Sequence, residues 1–299
     1  MVFDFRLKVF QTVALKLSYT KAAQELFITQ PAVTKHINEL EAQLQTKLFN
    51  RNGNSISLTP SGEILLTYAE QIFRLYTQME NELAALSDFS GGILQVGAST
   101  TIAQYLLPRL LAQFRKSYPS IQISLVNGNS EYIEQLIVQG KIDLGLVEGI
   151  SHSPQIHYEV FVKDEIVLVV RTANKLFSKT ELKLAQLTSI PVVMREQGSG
   201  TLDVIYKALS DAGINPKNLQ VELHLDSTES IKEYLLYSDC AAFLSVHSIT
   251  KELHQNQLAV IDVQGLELSR NFQFIQRQGE SQKLTEVFKR FCLNHYNQK

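Results

Sequence analysis

The 299 residues exceed one average domain and suffice for two or three. Apolar residues make up 44 %, enough for sizeable cores, and 28 basic against 30 acidic residues leave a net charge of −2. That balance excludes a chain that grips nucleic acid over its whole surface, so any such affinity has to be local. No apolar run reaches the ~18 residues a bilayer span needs. The N-terminus opens with Asp4, Arg6 and Lys8 inside a helical pattern instead of a charged-then-apolar export signal. The only cysteines, Cys240 and Cys292, fit a reducing compartment, and the expectation is a soluble cytoplasmic protein.

Through Pro60 there are seven basic and four acidic residues, a local net charge of +3 in a chain that is acidic elsewhere. Phe3, Leu7, Phe10, Val13, Ala14 and Leu17 recur at helical spacing and predict a first amphipathic helix. Thr20 then caps a short helix carrying Ala22, Ala23 and Leu26, where small side chains let another helix approach. Phe27-Ile28 makes an apolar turn, and Thr29 caps a third helix with Pro31 in its first turn. Val33, Ile37, Leu40 and Leu44 form the buried stripe of that helix. Pro31, Thr34, Lys35 and Asn38 lie on the opposite face, with Gln30 at its tip. Two short helices, a tight turn and a polar outer face are the layout of a helix-turn-helix, with the second helix placed for the DNA major groove. Gln30 suits a bidentate contact to adenine, Thr34 offers a hydroxyl and a methyl, and Lys35 reaches guanine or phosphate. Asn52-Gly53, flanked by Leu48-Phe49 and Ile56, predicts a hairpin with Arg51 near its tip, beside the duplex backbone or minor groove. This wing makes the domain a winged helix-turn-helix.

Thr59-Pro60 is a cap followed by a first-turn proline, so a new helix begins there. Leu65, Ala69, Ile72, Tyr76, Met79, Leu83 and Leu86 alternate spacings of four and three, the seam of a coiled coil. The linker helix is therefore expected to pair two copies, placing two reading helices on one two-fold axis. Ser90-Gly91-Gly92 releases the chain. Beyond it, short apolar strands alternate with helices. Strands are expected at 93–97, 121–126, 142–147, 166–170, 192–194, 221–225, 241–244 and 272–276, in a largely parallel sheet. The pattern reads as two α/β subdomains, about 91–161 with 266–299 and about 162–265, forming a hinged clamp with a ligand cleft at the strand C-terminal ends. Three polar turns sit at strand–helix junctions: Ser99-Thr100-Thr101, Gln197-Gly198-Ser199-Gly200-Thr201 and Ser227-Thr228. Their hydroxyls and amides suit an anion, as at any helix N-terminus. Glu148, closing the third strand, joins them as an effector-contact candidate.

Ala22-Ala23-Gln24-Glu25-Leu26, Gln30-Pro31-Ala32-Val33-Thr34, Leu40-Glu41, Leu48-Phe49-Asn50-Arg51 and Leu58-Thr59-Pro60-Ser61-Gly62 together closely resemble the LysR-type transcriptional regulators over essentially the whole chain. The resemblance implies an N-terminal all-α winged helix-turn-helix (1–60), a dimerising linker helix (61–90) and an α/β effector-binding domain (91–299) of two periplasmic-binding-protein-like subdomains. It also implies a homodimer or homotetramer acting on double-stranded DNA with two half-sites, a small-molecule effector, and RNA polymerase as a further partner. Gln30, Pro31, Thr34 and Lys35 are placed at the bases, with Thr20 and Arg51 near the backbone, and Ser18 and Thr29 are further DNA-contact candidates. The loop Arg195–Thr201 is similar to that of members sensing small anions. Leu202 stands where those relatives often carry arginine and removes one counter-charge.

A redox sensor would need two reactive cysteines, but Cys240 opens an apolar strand and Cys292 lies between phenylalanines, so both are expected to be buried. His152, His157, His224, His247 and His254 show no metal-ligand spacing, and neither metal nor cofactor is called for. The clamp alone would also suit a small-solute-binding module without a transcriptional role, but the N-terminal helix-turn-helix argues against it. An enzyme ranks last, because no nucleophile elbow, phosphate loop or paired-acid arrangement is present.

Overall fold

The structure, a computed structural model, describes residues 4–52, 55–86, 92–150, 152–178, 181–279 and 282–296. Contacts divide it into two units, residues 1–88 and 89–299.

In the first unit, α1 (Phe5–Lys16), α2 (Tyr19–Glu25) and α3 (Gln30–Leu44) precede a hairpin of β1 (Phe49–Asn52) and β2 (Ser55–Leu58) and the long α4 (Pro60–Leu86). Val9, Phe10, Val13, Ala22, Val33, Ile37, Leu48 and Phe49 form its core. The cap of α2 differs from expectation. Ser18 Oγ accepts from the Lys21 N–H at 3.3 Å, while Thr20 stands exposed one residue inside the helix. The helix starts earlier because Tyr19 is buried against Phe49, ring centroids 6.0 Å apart. Thr29 caps α3 as expected, accepting from the Ala32 N–H at 3.4 Å.

Along α3 the fourth buried position is Glu41, and Leu44 is left exposed. Glu41 tolerates burial because its carboxylate accepts from the Leu48 N–H at 2.9 Å and from Lys47 Nζ at 2.6 Å, tying α3 to the start of the wing. Burial opposes its ionisation, but the Lys47 and Leu48 hydrogen bonds prevail and hold the carboxyl below its usual 4.5. A carboxyl depressed by folding contributes stability that is present above its unfolded value and is lost as pH falls through its folded value. The first unit is therefore expected to weaken on acidification below about 4.5, and Glu41→Gln to flatten that limb of the Tm-versus-pH profile. An unchanged limb in the variant would show that the carboxylate carries no such linkage.

The Thr59–Gly62 run has a local explanation. Thr59 Oγ1 donates to the Lys47 carbonyl at 2.6 Å and accepts from the Gly62 N–H at 3.0 Å, capping α4 while fastening it to the wing. A Cβ at Gly62 would lie 2.2 Å from the Leu48 carbonyl oxygen, so only glycine fits this close approach. The wing pairs Phe49 with Leu58 through Asn52 with Ser55. Its turn at 53–54 lies outside the described residues, as does the side chain of Arg51.

The outward stripe of α4 agrees with the expected seam only in part. Leu65 and Leu66 pack on the core and Ala69 is fully buried, so they are used within the chain. Ile72 and Met79 of the expected seam are exposed, and the outward apolar stripe joins them with Ile64, Tyr68 and Leu75. The side chains of Leu83 and Leu86 lie outside the described residues. The periodicity alone could not separate these stripes, because α4 is apolar on two adjacent faces.

In the second unit, β3 (Gly92–Ser99) is flanked by β4 (Ile121–Gly128) and β5 (Leu144–Glu148), all parallel. A π-helical turn (Ile102–Leu106), α5 (Leu107–Ser117) and α6 (Ser130–Val138) cover this wing. The chain then enters β6 (Ile156–Arg171), β7 (Glu181–Lys183), β8 (Pro191–Arg195), α7 (Gly200–Asp211), β9 (Gln220–Leu225), α8 (Thr228–Tyr237), β10 (Ala241–Ser245) and α9 (Val246–His254). It closes with β11 (Leu258–Gln264), β12 (Leu268–Arg277) and α10 (Lys283–His295). The path through the sheet is β4-β3-β5-β12-β6-β10-β8-β9, with β11 also on β6 and β7 on β11.

The sheet is mixed where a largely parallel one was expected. Two parallel wings, centred on β3 and β8, are joined by β6 and β12, which run antiparallel to each other. The 16 residues of β6 serve both wings: Ile156–Ile166 pairs with β12, and Ile166–Arg171 with β10 and β11. Its first half went unread because His157, Glu159, Lys163 and Glu165 interrupt the apolar run. β7 and β11 have no counterpart among the expected strands. Cys240 and Cys292 are buried, and burial, with Glu222 beside it, pushes the Cys240 thiol up to about 11. Burial also raises Cys292, so both remain thiols near neutral pH.

Among the described residues no helix is long and apolar enough to cross a membrane, and no three His, Cys, Asp or Glu side chains gather as metal ligands.

Candidate effector cleft and DNA-reading surface

Four strand ends of the second unit meet at one place because each wing is parallel and both wings present their C-terminal edges to the crossing strands. Thr100 follows β3, Asn127–Asn129 lie where β4 gives way to α6, Glu196 follows β8, and Asp226-Ser227 separate β9 from α8. With Gln104 and Tyr132 these residues line a cavity of about 530 Å³. Asn129 and Ser227 cap their helices, accepting from the Tyr132 N–H at 3.0 Å and the Ser230 N–H at 3.4 Å. Two helix N-termini thus border the cavity, which favours an acceptor-rich occupant.

The sequence-derived effector residues divide into two groups. Thr100 and Ser227 reach the cavity wall. Ser99, Glu148 and Thr201 lie behind it in a buried clasp. The Glu148 carboxylate accepts from Ser99 Oγ and from Thr201 Oγ1 (3.3 Å), and Arg270 Nη1 stands 3.4 Å from it. Arg270 Nη1 also donates to Thr201 Oγ1 at 2.6 Å, and its Nε to Asp164 at 2.7 Å. Ser245 Oγ donates to the other Asp164 oxygen at 2.7 Å. These hydroxyls, read from the sequence as free donors, are therefore occupied by an internal carboxylate.

Gln197 and Gly198 brace the start of α6. The Gln197 carbonyl accepts from Asn129 Nδ2 at 3.3 Å, and the Gly198 carbonyl from the Glu131 N–H at 3.2 Å. Gly200 is required by contact: a Cβ there would lie 1.7 Å from the Glu148 carbonyl oxygen. Ser199, Thr101 and Thr228 are buried, and the Ser199 hydroxyl has no partner among the described residues.

The sequence reading missed Arg195, Glu196, Asn129 and Arg270 as individual site residues. Arg195 ends β8 nearly buried, and its guanidinium engages Glu196, Thr100 and the Asp226 carbonyl. It supplies one counter-charge that Leu202 lacks. Arg270 was legible only as a charge within an apolar strand whose expected start, Phe272, lay beyond it. A second link joins the two wings: Tyr105 donates to Glu229, and buried Lys232 pairs with Glu229 at 2.9 Å and Glu252 at 2.8 Å.

In the first unit, Gln30, Pro31 and Lys35 stand exposed along one face of α3, with Thr34 half-buried among them. Gln30 Nε2 donates to Thr34 Oγ1 at 3.2 Å, and Thr34 Oγ1 donates to the Gln30 backbone carbonyl at 3.2 Å, so Thr34 is fixed to the helix and in turn holds the Gln30 side chain. Lys35 lies 3.9 Å from Glu39, a contact too long and too exposed to hold it. Ser18 and Thr29 are used as helix caps.

Residues 5–63 match the bacterial regulatory helix-turn-helix protein, lysR family, and residues 87–297 match the LysR substrate binding domain. The chain is 32 % identical over 291 residues to the HTH-type transcriptional regulator CysL of Bacillus subtilis, covering 97 % of this chain and 96 % of that one. It is 31 % identical over 284 residues to the HTH-type transcriptional activator CmpR of Synechocystis, covering 95 % and 91 %. The Synechocystis CcmR regulatory domain in complex with 2-PG superposes with a TM-score of 0.63 at 25 % identity, covering 70 % of this chain and 98 % of that one. Both halves of the chain, the reading helix and the two-winged sheet, carry the same signature, and the chain belongs to the LysR family of transcriptional regulators.

Proposed function

We propose that this protein is a cytoplasmic, non-enzymatic regulator that reads DNA with Gln30, Pro31, Thr34 and Lys35 and responds to a small oxyanion-bearing effector in the cavity beside Thr100, Asn129 and Ser227. The observation that carries the effector reading is the convergence of four strand ends and two capped helix N-termini, from both wings, on one cavity of about 530 Å³. The 2-PG held by the CcmR regulatory domain suggests the size of ligand. Subdomain I is taken as 91–161 with 266–299, and subdomain II as 162–265. Effector binding shifts their closure and, through a tetramer, the spacing of the DNA-reading pairs and the bend they impose. RNA polymerase is the partner through which promoter output changes.

Dimerisation is assigned to the outward stripe of α4. Leu75→Lys is expected to dissociate the linker pair, seen as a lower mass in analytical ultracentrifugation, while Leu65→Lys should instead unfold the first unit. Equal association of wild type and Leu75→Lys would remove α4 from the interface. The whole reading is tested by footprinting the DNA beside the protein's own gene, with and without 2-PG. Protection of paired half-sites on one face of the duplex is expected, and no protected site would overturn the regulator assignment.

A further inference from the structure

We propose that Glu196 is an internal occupant of the oxyanion position in the cleft, and that the effector's carboxylate or phosphoryl group binds by taking Arg195 from it. The proposal rests on the reading that the cavity is the effector site.

Arg195 is only 3 % exposed, and the backbone there is pinned where its carbonyl meets His224 Nδ1 at 2.8 Å. Its guanidinium grips the Glu196 carboxylate with two bonds, Nε to Oε2 at 2.8 Å and Nη2 to Oε1 at 3.0 Å. Nη2 also reaches Thr100 Oγ1 at 3.4 Å and the Asp226 carbonyl at 3.3 Å. Glu196, Thr100 and Asp226 are all wall residues of the cavity. A buried guanidinium therefore sits behind this wall where three loops from two wings meet, held by a wall carboxylate in the two-pronged geometry guanidinium offers to carboxylates and phosphates.

A bridge between sequence neighbours fastens no distant parts of the chain, so its structural value is small. It does keep a nearly buried guanidinium neutralised until something replaces the carboxylate. Arg270, a second buried guanidinium among the described residues, cannot exchange partners in this way. Its carboxylates, Asp164 and Glu148, have side chains 0 % and 2 % exposed, whereas the Glu196 side chain is 21 % exposed and borders open volume. Glu196 can swing into water and recover its hydration, and an incoming oxyanion inherits the same two N–H donors. Thr100, Gln104, Asn129 and Ser227 supply polar groups for its remaining oxygens. An effector lacking an oxyanion has nothing to offer Arg195 in return, so the exchange selects the ligand class.

The test is calorimetric titration of the full-length protein with inorganic phosphate and, separately, acetate, at constant ionic strength. Glu196→Gln keeps the side-chain shape but loses the charge that competes for Arg195. It is expected to bind at least one probe about tenfold more tightly than wild type, the order of one charge-assisted contact. Glu196→Asp, too short for the two-pronged grip, should move in the same direction, and Arg195→Met should lose the gain when combined with Glu196→Gln. Which probe responds distinguishes phosphoryl from carboxylate recognition. Unchanged or weaker binding in Glu196→Gln, or a gain that survives Arg195→Met, overturns the proposal. If Asn129→Ala weakens probe binding while the Glu196 variants do not change it, the cavity reading stands and only the exchange fails. If no variant, Asn129→Ala included, alters binding, the cavity reading falls as well.

Discussion

Arg270→Met is expected to destabilise the effector-binding unit by about 3–5 kcal/mol, because it strands Asp164 and Glu148 as uncompensated buried charges. Arg270 reaches both through Nε and Nη1, and it also fixes the Thr201 hydroxyl that faces Glu148. A unit of this size loses roughly 2–4 °C of Tm per kcal/mol, so its transition in calorimetry should drop by on the order of 10 °C. Adding Asp164→Asn should restore part of the loss, since the double variant removes one of the stranded charges. A change below about 1 kcal/mol in Arg270→Met would mean that water reaches the cluster and screens it. The expectation is large because Arg270 and Asp164 lie on β12 and β6, the two strands that join the wings. A charge left unpaired there destabilises the junction of both wings.

Gln30→Ala with Lys35→Ala is expected to abolish specific DNA binding while leaving folding and self-association intact. Each base-reading side chain contributes about 1–3 kcal/mol, so together the loss is on the order of a hundredfold or more. Both residues are exposed, and neither joins the core built on Val33, Ile37 and Leu40, so the Tm of the first unit should move little. The Gln30–Thr34 hydrogen bond adds a finer expectation. Thr34→Val should weaken operator binding less than the double variant, because it frees the Gln30 amide without removing it. Operator affinity unchanged in a mobility shift would show that another surface reads the bases.

Much of the first unit is local in origin and could be read from the chain. Thr29 caps α3, Pro31 and Pro60 occupy first turns, and Val33, Ile37 and Leu40 fall on one side of a helix because 3.6 residues make a turn. The polar face of α3 follows from the same arithmetic. What periodicity could not settle was which of two apolar stripes on α4 faces inward. That depends on α1 and the wing, which bury Leu65 and Ala69 and leave Leu75 and Met79 outside.

In the second unit the alternation of strands and helices fixed two α/β wings and put Ser99, Thr100, Thr201 and Ser227 at strand–helix junctions, since each junction is a property of adjacent residues. The partners of those hydroxyls were not legible. Ser99 and Glu148 are 49 positions apart, Thr201 and Arg270 69 apart, and Asp164 and Arg270 106 apart. Local propensity carries no information over such separations. Only the antiparallel crossing of β6 and β12 sets Arg270 beside Asp164, and only the meeting of both wings turns Ser99 and Thr201 from open donors into ligands of Glu148. The sequence by itself determined the reading helix, the helical linker and the family. The tertiary structure decided which carboxylates engage Arg270, Ser99 and Thr201 behind the cleft, because a buried guanidinium is paired by whatever carboxylate the fold brings within about 3 Å, however distant in the chain.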